Sequence, residues 1–591
     1  MCGIVAFTGH RLAAPIILKG LQRLEYRGYD SAGMATLSGG KLWLRKDVGW
    51  VADVDHKHQL QDLPGETGVG HVRWATHGGI TADNAHPHLD CTGRVAVVHN
   101  GIVENYQELR QQLSARHRFT SETDTEVIPH LIEEYLGEGH PLEEAVRLAL
   151  QQVTGAYAIA VVFSGEPAKL VGARRDSPLV AGVANGSLFL ASDALAFLEH
   201  TDQVLFPEDG EVVMLNGNGE VRCLDRQGKP VERTPSPLGW SPQEVSKNGH
   251  DFFMLKEILE QPETMRCALN QDPEYLNSVA MDILRARQVV ITACGTSRYA
   301  ALVGRYLFSR MAGKFCDVVM ASEFHYFSDS IDKNTVVIAV SQSGETADVV
   351  QGVKQAKANG ARIVSLVNAP GSYLARISDG VIPLNCGPEI CVAATKSFVN
   401  QLVVFYLLAS AMMGRPNGIA HDMAEISHLI EQNIRETEEN IRAVAKATCH
   451  REHFYYIARG INFAIAVEGA LKVKELAYIH AEGMPAGELK HGTLALIEEG
   501  TPVVVVCPQD YTFSETLSNA MEARSRGGLI IGVSDQNNPV FHHWLPIPRV
   551  EEVYYPLVSV VPLRLLAYHL SVLRGKNPDR PRNLAKSVTV K

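Results

Sequence analysis

The chain has 591 residues, of which 46% are hydrophobic and 20% are charged, and this predicts a globular protein of several domains. Its net charge of −11 without a basic block disfavours a nucleic-acid partner, and charges or glycines interrupt its apolar stretches before the ~20 residues of a membrane span. Ten scattered cysteines without a Cys-x-x-Cys pair indicate neither a disulfide framework nor a structural zinc site, and they favour a cytoplasmic location.

The first part of the chain predicts a domain of short strands and two helical segments over residues 2–218. Alternation and apolar runs give the strand candidates Val95–His99, Ala156–Phe163, Ser187–Ala191 and Glu211–Leu215. Helical spacing covers Leu109–Ala115 and Thr125–Leu136. A polar run with Pro235, Pro237 and Pro242 follows, and we expect a linker over residues 219–250.

After a helix-like segment at Phe253–Leu259, strand and helix alternate, as a parallel sheet covered by helices requires. The pattern occurs twice, with strand candidates at Gln288–Cys294, Val336–Ser341 and Ala361–Val367, then at Phe454–Ala458, Pro502–Cys507 and Gly528–Val533. The first and second strands begin equally far apart in both copies, which indicates a duplicated α/β unit. We predict the two domains over residues 280–420 and 446–581, followed by a tail of residues 582–591.

The N-terminus carries a candidate nucleophile, Cys2. Cysteine is small enough to permit removal of Met1, which would leave Cys2 with a free α-amine. The reference pKa of such an amine is ~7.7–8.0, so the amine can act as a base for its own thiol. For Cys2 alone, an incidental small residue before a strand is the simpler interpretation.

Three downstream segments carry further candidate site residues. Arg73, within His71–Gly78, offers a guanidinium that can bind a carboxylate through two hydrogen bonds. Asn100 beside Gly101 offers an amide and a backbone N–H for an oxyanion, and Asp124 could bind an ammonium group. Singly, a surface ion pair, a hairpin turn and a helix N-cap explain these features better. Together they favour a glutaminase.

Two strand-to-helix turns in the first α/β unit suit a phosphate group. They are Cys294-Gly295-Thr296-Ser297 and Ser341-Gln342-Ser343-Gly344-Glu345-Thr346. Hydroxyls and free backbone N–H groups at the start of a helix attract anions. Two ordinary serine-capped helices are the alternative. The sequence has no Gly-x-x-x-x-Gly-Lys loop, which argues against ATP as the phosphate source.

The second α/β unit and the tail carry candidate acid–base groups. Glu468, Lys472 and Glu475 share one face of a predicted helix, although a solvated ladder of salt bridges gives the same spacing. His491, between glycines, is a candidate acid–base residue. Lys586 lies either in a solvated chain end or over a site, where a desolvated amine can form an imine.

The first half resembles the class II glutamine amidotransferases. The resemblance rests on Cys2-Gly3-Ile4, Leu24-Glu25-Tyr26-Arg27-Gly28-Tyr29-Asp30-Ser31, Arg-Trp-Ala-Thr-His-Gly, His-Asn-Gly and Ser-Glu-Thr-Asp-Thr. It implies an N-terminal-nucleophile hydrolase of αββα fold, with Cys2, Asn100 and Gly101 as catalytic residues. The glutamine-binding residues that it implies are Arg73, Trp74, Thr76, His77, Gly78 and Asp124. Trp74 would also gate the passage of ammonia.

The second half resembles the two sugar isomerase domains of the glucosamine-6-phosphate synthases, and the match spans essentially the whole chain. It implies an α/β fold with two tandem three-layer α/β/α domains. The sugar-phosphate contacts that it implies are Thr296, Ser297, Ser341, Gln342, Ser343, Thr346, Val392 and Ala585. By the same resemblance, His491 opens the fructose ring and Lys586 forms an imine with the ketone. Glu475, assisted by Lys472, would then move the proton between C1 and C2.

The family resemblance implies that a homodimer converts fructose 6-phosphate and glutamine to glucosamine 6-phosphate and glutamate, without a metal or organic cofactor. A degenerate glutaminase half and a non-catalytic phosphosugar sensor are the alternatives, and the complete residue sets disfavour both. Ala394 and Met484-Pro485 depart from the family pattern. His86 and His88 with Cys91 could mimic a metal cluster, but a loop with two histidines is the simpler interpretation, so no metal site is predicted.

Overall fold

A computed structural model describes residues 2–241 and 243–589. The described residues divide into two compact units, residues 2–241 and 243–246 with 587–589, and residues 247–586. Met1, Pro242, Val590 and Lys591 lie outside the described residues. The predicted removal of Met1 therefore lies outside the described residues. So do Pro242 of the predicted linker and Val590 and Lys591 of the predicted tail.

The first unit contains an eight-stranded and a seven-stranded antiparallel sheet. Its strands are β1 (Gly3–Gly9), β2 (Ser31–Ser38), β3 (Lys41–Val48), β4 (Thr67–Arg73), β5 (His88–Leu89), β6 (Val95–Gly101), β7 (Tyr157–Phe163), β8 (Lys169–Arg175), β9 (Val180–Ala184), β10 (Ser187–Ala191), β11 (Gln203–Leu205), β12 (Val212–Asn216), β13 (Val221–Leu224), β14 (Pro230–Val231) and β15 (Ser236–Pro237). Its α-helices are α1 (Ala13–Leu24), α2 (Val51–His58), α3 (Tyr106–Leu113), α4 (Val127–Gly137) and α5 (Leu142–Gln152). The strand orders are β15-β11-β9-β10-β1-β4-β2-β3 and β14-β13-β12-β8-β7-β6-β5.

The two sheets pack face to face, because alternate side chains of their strands are apolar on the inner side. Ile4 and Ala6 of β1 share one buried core with Ala96 and Val98 of β6. Helices α3, α4 and α5 cover the outer face of the seven-stranded sheet, and α1 packs on β1 and β4 of the other. These layers form the αββα fold that the resemblance implies.

The linker predicted over residues 219–250 is shorter in the structure. β13 and β14 lie inside that range and extend the seven-stranded sheet, while β15 pairs with β11. Pro230 and Pro237 lie in the outermost strands, where a missing N–H removes no bond to a further strand. A proline-rich run is therefore compatible with pairing at a sheet edge.

The second unit contains two five-stranded parallel sheets. Its elements in chain order are α6 (Phe253–Leu259), α7 (Gln261–Ala268), α8 (Pro273–Arg285), β16 (Gln288–Ala293), α9 (Gly295–Ala312), β17 (Asp317–Met320), α10 (Phe324–Phe327), β18 (Thr335–Ser341), α11 (Ala347–Ala358), β19 (Arg362–Val367), α12 (Tyr373–Ile377), β20 (Gly380–Pro383), α13 (Lys396–Met412), α14 (Ala420–Thr448), β21 (His453–Ala458), α15 (Asn462–Ala477), β22 (His480–Pro485), β23 (Pro502–Val506), α16 (Phe513–Arg524), β24 (Leu529–Ser534), β25 (His543–Pro546) and α17 (Tyr555–Leu573). The orders β17-β16-β18-β19-β20 and β22-β21-β23-β24-β25 are the same topology used twice, which confirms the predicted duplication.

The strand order places the two predicted phosphate turns next to each other. From β16 the chain adds β17 on one side of the sheet and then β18 on the other, so the order of strands switches between β16 and β18. Ligands of such open parallel sheets bind beyond the carboxyl ends of the strands at this switch point. Thr296 and Ser297 follow β16, and Ser341 ends β18. The corresponding point of the second sheet lies between β21 and β23, and α15 with its charged residues follows β21.

Among the described residues, one helical stretch, Glu552–Leu573, is long and apolar enough to cross a membrane. Of its most apolar window, 89% is buried inside the protein, and α17 packs against α14 and α15. A helix that is apolar on all sides is also what the core of a large domain requires.

Candidate active sites

Cys2 stands directly before β1, whose pairing with β4 and β10 fixes its position. The backbone N–H of Trp74 donates to Cys2 Sγ at 3.3 Å, and Sγ lies 3.5 Å from the Trp74 carbonyl oxygen. Burial raises the pKa of the Cys2 thiol, while the positive charge of Arg73 opposes the shift. A thiol with a raised pKa is protonated at neutral pH, so attack on an amide requires a base.

Asn100 and Gly101 end β6 and lie in register with β7, so they are strand residues rather than a hairpin turn. Gly101 has a φ of 138°, and a Cβ at this position would lie 2.0 Å from the carbonyl oxygen of Ala156. No larger residue fits there without moving the backbone.

The side-chain amide of Asn100 is fixed by three partners. Its Nδ2 donates to the Cys2 carbonyl oxygen at 3.0 Å and to Ser192 Oγ at 2.7 Å. Burial lowers the pKa of His71 to about 3, so its ring is neutral and its Nε2–H donates to Asn100 Oδ1 at 3.0 Å. Both amide hydrogens already have protein acceptors, so the predicted oxyanion role requires Asn100 to give up one of them.

Arg73 and Asp124 are both buried, at 3% and 4% exposure. Arg73 donates to carbonyl oxygens of its own loop, with Nη2 2.5 Å from the His77 oxygen. Asp124 Oδ2 accepts the backbone N–H of Val103 at 2.7 Å, and α4 has no side-chain N-cap bond. The alternatives of a surface ion pair and a helix cap are therefore wrong for these two residues.

The other predicted glutamine contacts lie on the loop after β4 that Arg73 holds. Thr76 is exposed, and Trp74, His77 and Gly78 are half-buried. The Trp74 ring meets Tyr29 edge to face at 5.6 Å. This loop therefore combines accessible groups with a backbone that is fixed next to Cys2.

In the second unit, the turn after β18 is closed by its own hydroxyl groups. Ser341 Oγ accepts the N–H of Gly344 at 3.0 Å and lies 3.2 Å from Thr346 Oγ1. Gly344 has a φ of 65°. In the turn after β16, Ser297 Oγ accepts from Gln401 Nε2 of α13 at 2.9 Å. Both turns lead into helices, α9 and α11, at the point where the strand order reverses.

The remaining predicted sugar-phosphate contacts are Thr296, Gln342, Ser343, Val392 and Ala585. Burial raises the pKa of Glu468 on α15, and the Thr296 side chain opposes this shift, so Thr296 lies beside that carboxyl. Ser343 Oγ accepts the N–H of Glu345 at 3.2 Å, and Val392 and Ala585 are half-buried. Their contact with a sugar phosphate stays a prediction.

The charged face of α15 is buried. Glu468 and Lys472 have side chains at 0% exposure, and Lys472 Nζ lies 2.6 Å from Glu475 Oε2 and 3.8 Å from Glu468 Oε1. Burial opposes the charge of Lys472, but the two carboxylates outweigh it and raise the pKa of Lys472. The alternative of a solvated ladder is therefore wrong.

Arg564 of α17 completes this cluster and was not predicted. Its Nη2 lies 3.4 Å from Glu468 Oε1, and its Nη1 donates to Gln261 Oε1 at 2.5 Å. Burial lowers the pKa of Arg564, and the negative charges of Glu468 and Glu389 oppose that shift. A single arginine inside an apolar helix is the sequence signal that points to it, because such a residue needs a buried partner.

Lys586 is also held inside the second unit rather than in a solvated chain end. Its Nζ lies 2.6 Å from Glu389 Oε2, at 5% and 0% side-chain exposure. Glu389 in turn accepts the N–H of Thr395 at 2.9 Å and the hydroxyl of Ser397 at 2.8 Å. Burial opposes ionisation of Glu389, but Lys586 and these bonds lower the pKa of Glu389. Glu389 was not predicted as a site residue, since no local pattern links it to the tail.

His491 is exposed at the end of the 3-10 helix Ala486–His491, which follows β22. An exposed imidazole keeps both ring nitrogens available to a substrate or to another molecule. Its predicted role in ring opening stays a prediction.

Comparisons with known proteins cover both units. A glutamine amidotransferase domain model matches residues 71–199, and the SIS domain model matches residues 282–411 and 448–574. Proteins named glutamine–fructose-6-phosphate aminotransferase (isomerizing) match over 100% of both chains, at 46% identity in Thermococcus kodakarensis and 47% in Methanothermobacter thermautotrophicus. The solved C-terminal domain of glucosamine-fructose-6-phosphate aminotransferase from Francisella tularensis is 32% identical, with a TM-score of 0.54, and covers 57% of this chain and 100% of that chain.

Proposed function

The chain belongs to the family of isomerizing glutamine–fructose-6-phosphate aminotransferases, and from this premise we propose which residues carry its two half-reactions. The overall reaction converts D-fructose 6-phosphate and L-glutamine to D-glucosamine 6-phosphate and L-glutamate. Cys2 releases ammonia from glutamine, and Lys586 activates the ketose that receives it. The buried ion pair between Lys586 and Glu389 is the strongest support, because it holds an amine away from solvent.

In the glutaminase reaction, the Cys2 thiolate attacks the amide carbon of glutamine. The α-amine that removal of Met1 would expose takes the thiol proton and passes it to the leaving nitrogen. The tetrahedral oxyanion is stabilised by the backbone N–H of Gly101 and by the amide of Asn100, once that amide releases one of its present acceptors. Ammonia leaves, and water hydrolyses the thioester to glutamate.

The loop that starts at Arg73 binds the amino-acid end of glutamine. Asp124 is buried and negative beside Cys2, so it suits the α-ammonium group, and Arg73 suits the α-carboxylate. We assign the other contacts to Trp74, Thr76, His77 and Gly78.

In the isomerase reaction, the two turns at β16 and β18 bind the phosphate of the sugar. His491 opens the ring, and the Lys586 amine adds to C2 and expels water to form an imine. Ammonia displaces Lys586 from C2. Glu475 then takes a proton from C1 and a proton is returned to C2, which leaves an aldehyde at C1 and an amine at C2. Lys472 holds Glu475 in position through the 2.6 Å ion pair.

We further propose a cytoplasmic homodimer in which His491 serves the site of a neighbouring copy. The exposure of His491 supports this arrangement, and the ten free cysteines fit a reducing compartment.

Glutamine labelled with 15N in the amide group tests the coupling of the two reactions. With fructose 6-phosphate and a tenfold excess of unlabelled ammonium, we expect 15N in the glucosamine 6-phosphate and one glutamate per amino sugar, measured by mass spectrometry. Glutamate formation without amino sugar would leave the glutaminase assignment standing but contradict the proposed transfer.

The variant Glu475→Gln tests the proton transfer separately. We expect amino-sugar formation to fall by ~10²–10⁴-fold, because an amide cannot take the C1 proton. Glutamine hydrolysis should stay within about twofold, since Cys2 lies in the other unit. The amide oxygen still accepts a bond from Lys472, which limits loss of structure. Glu482→Gln, at an exposed position of β22, is the matched control, and retention of more than a tenth of the synthase rate in Glu475→Gln would contradict the role.

A further inference from the structure

Four potential metal ligands from three segments of the first unit lie together. They are Cys91 in the turn before β6, His117 in the loop after α3, and His130 and Glu133 on α4. One ligand atom from each residue lies within 4.8 Å of every other. The cysteine that the sequence groups with His86 and His88 therefore lies instead beside two histidines distant in sequence.

Four of the six distances between these atoms fit the spacing of ligand atoms around one ion. Cys91 Sγ lies 3.5 Å from His117 Nδ1 and 3.6 Å from His130 Nδ1, while Glu133 Oε2 lies 3.0 Å and 3.4 Å from the same two nitrogens. A zinc ion bound tetrahedrally, with Zn–S of ~2.3 Å and Zn–N or Zn–O of ~2.0–2.1 Å, separates its ligand atoms by about 3.3–3.6 Å. The other two pairs of ligand atoms lie within 4.8 Å of each other.

The surroundings orient the ligands as in known metal sites. His117 Nε2, on the far side of the ring, lies 3.3 Å from Glu134 Oε1, and a carboxylate behind a histidine fixes the tautomer whose other nitrogen binds metal. The backbone N–H of Arg118 donates to Cys91 Sγ at 3.3 Å and fixes the position of the sulfur. Phe119 contacts the His130 ring edge to face at 4.7 Å and holds its plane.

His130 is the most informative member. Its side chain is 1% exposed, and its Nε2, which is directed away from the cluster, lies 3.9 Å from Glu126 Oε1. Its Nδ1 faces a thiol and a carboxylate oxygen, so three atoms with lone pairs converge on one point. A cation at that point would satisfy all of them at once.

We propose that Cys91, His117, His130 and Glu133 form a structural Zn²⁺ site. Zinc is favoured over Mg²⁺ and Ca²⁺ because those ions prefer all-oxygen ligand sets, whereas thiolate and imidazole select zinc. Four protein ligands leave no open position, so the ion joins segments rather than activating water. The ion joins the two ends of the segment from His117 to His130, and this segment contains Asp124.

Zinc titration of the full chain tests the site. A Cys2→Ala background removes the proposed nucleophile from competition for the metal, and metal is first stripped under reducing conditions. With a chromophoric chelator as competitor, we expect one tight equivalent of Zn²⁺ per chain. Co²⁺ should give the visible bands of a tetrahedral ion and a thiolate-to-metal charge-transfer band in the near ultraviolet.

Variants of the ligands separate the site from adventitious binding. Cys91→Ser should abolish the charge-transfer band, and His130→Gln should remove the tight equivalent. Glu134→Gln, behind His117, should weaken binding ~10–100-fold without removing it. Cys267→Ser alters an exposed residue and His140→Gln a half-buried one, both outside the cluster, and both should leave binding unchanged. The wild-type affinity remaining in His130→Gln, or no tight equivalent at all in the wild type, would overturn the proposal in favour of a hydrogen-bonded cluster.

Discussion

The variant Cys2→Ala is expected to lose glutamine-dependent amino-sugar synthesis by ~10³-fold or more, and to keep synthesis from ammonium. The thiol supplies the covalent bond of the thioester, and no methyl group can replace it. Synthesis from ammonium persists because the second unit has its own core and its own candidate site residues. Product formation is measured with glutamine and, separately, with a high concentration of ammonium.

The ammonium reaction is the internal control for folding. If Cys2→Ala loses both activities together, the variant has damaged the structure, and Cys2→Ser, which keeps the size and a hydrogen-bonding group next to Trp74, replaces it. Normal glutamine-dependent synthesis in either variant would remove Cys2 from the mechanism. The mass of the purified chain tests the base as well, since active protein that retains Met1 has no α-amine on Cys2.

The strands and the duplication could be predicted from sequence because both depend on local patterns. Ser187–Ala191 matches β10 at both ends, and the candidates Gln288–Cys294 and Phe454–Ala458 lie within one residue of β16 and β21. An apolar run between turns needs little tertiary information to become a buried strand. Helix ends are less well defined: the candidate Leu109–Ala115 lies about one turn later than α3.

The sequence predicted candidate residues in short motifs but not the distant residues that pair with them. Cys2, Asn100 and Lys472 could be found because their chemistry is recognisable in short motifs. The partners that set their charge come from distant segments: Glu389 and Lys586 are 197 positions apart, and Arg564 reaches Glu468 across 96. Packing of whole elements creates such pairs, so no local pattern encodes them.

The surroundings of Cys91 also depend on contacts between distant segments, which a local sequence pattern does not reveal. Sequence neighbours suggest His86 and His88, yet the structure places those two histidines among buried rings and brings Cys91 to α4. The spacing of His130 and Glu133 at i and i+3 is the one local signal for this cluster, and it is common on any helix.

The variant Lys586→Arg is expected to lose amino-sugar synthesis by ~10³-fold or more with either nitrogen source, while glutamine hydrolysis persists. Arginine keeps the positive charge that Glu389 requires, so the buried carboxylate is not left unpaired. A guanidinium stays protonated and cannot form an imine with a ketone. Lys474→Arg, at an exposed position of α15, is the matched control for a lysine substitution.

Borohydride reduction in the presence of fructose 6-phosphate makes the imine visible. In the wild type, we expect a stable sugar-phosphate adduct on the peptide that contains Lys586, and none in Lys586→Arg. An adduct on Lys472 instead would assign the imine to α15 and leave Lys586 as a charge partner only. Lys586 must lose a proton before it attacks C2. The charge of Lys586 and the bonds from Thr395 and Ser397 lower the pKa of Glu389, so this carboxylate fixes the position of Nζ, and a stronger base than Glu389 must take the proton.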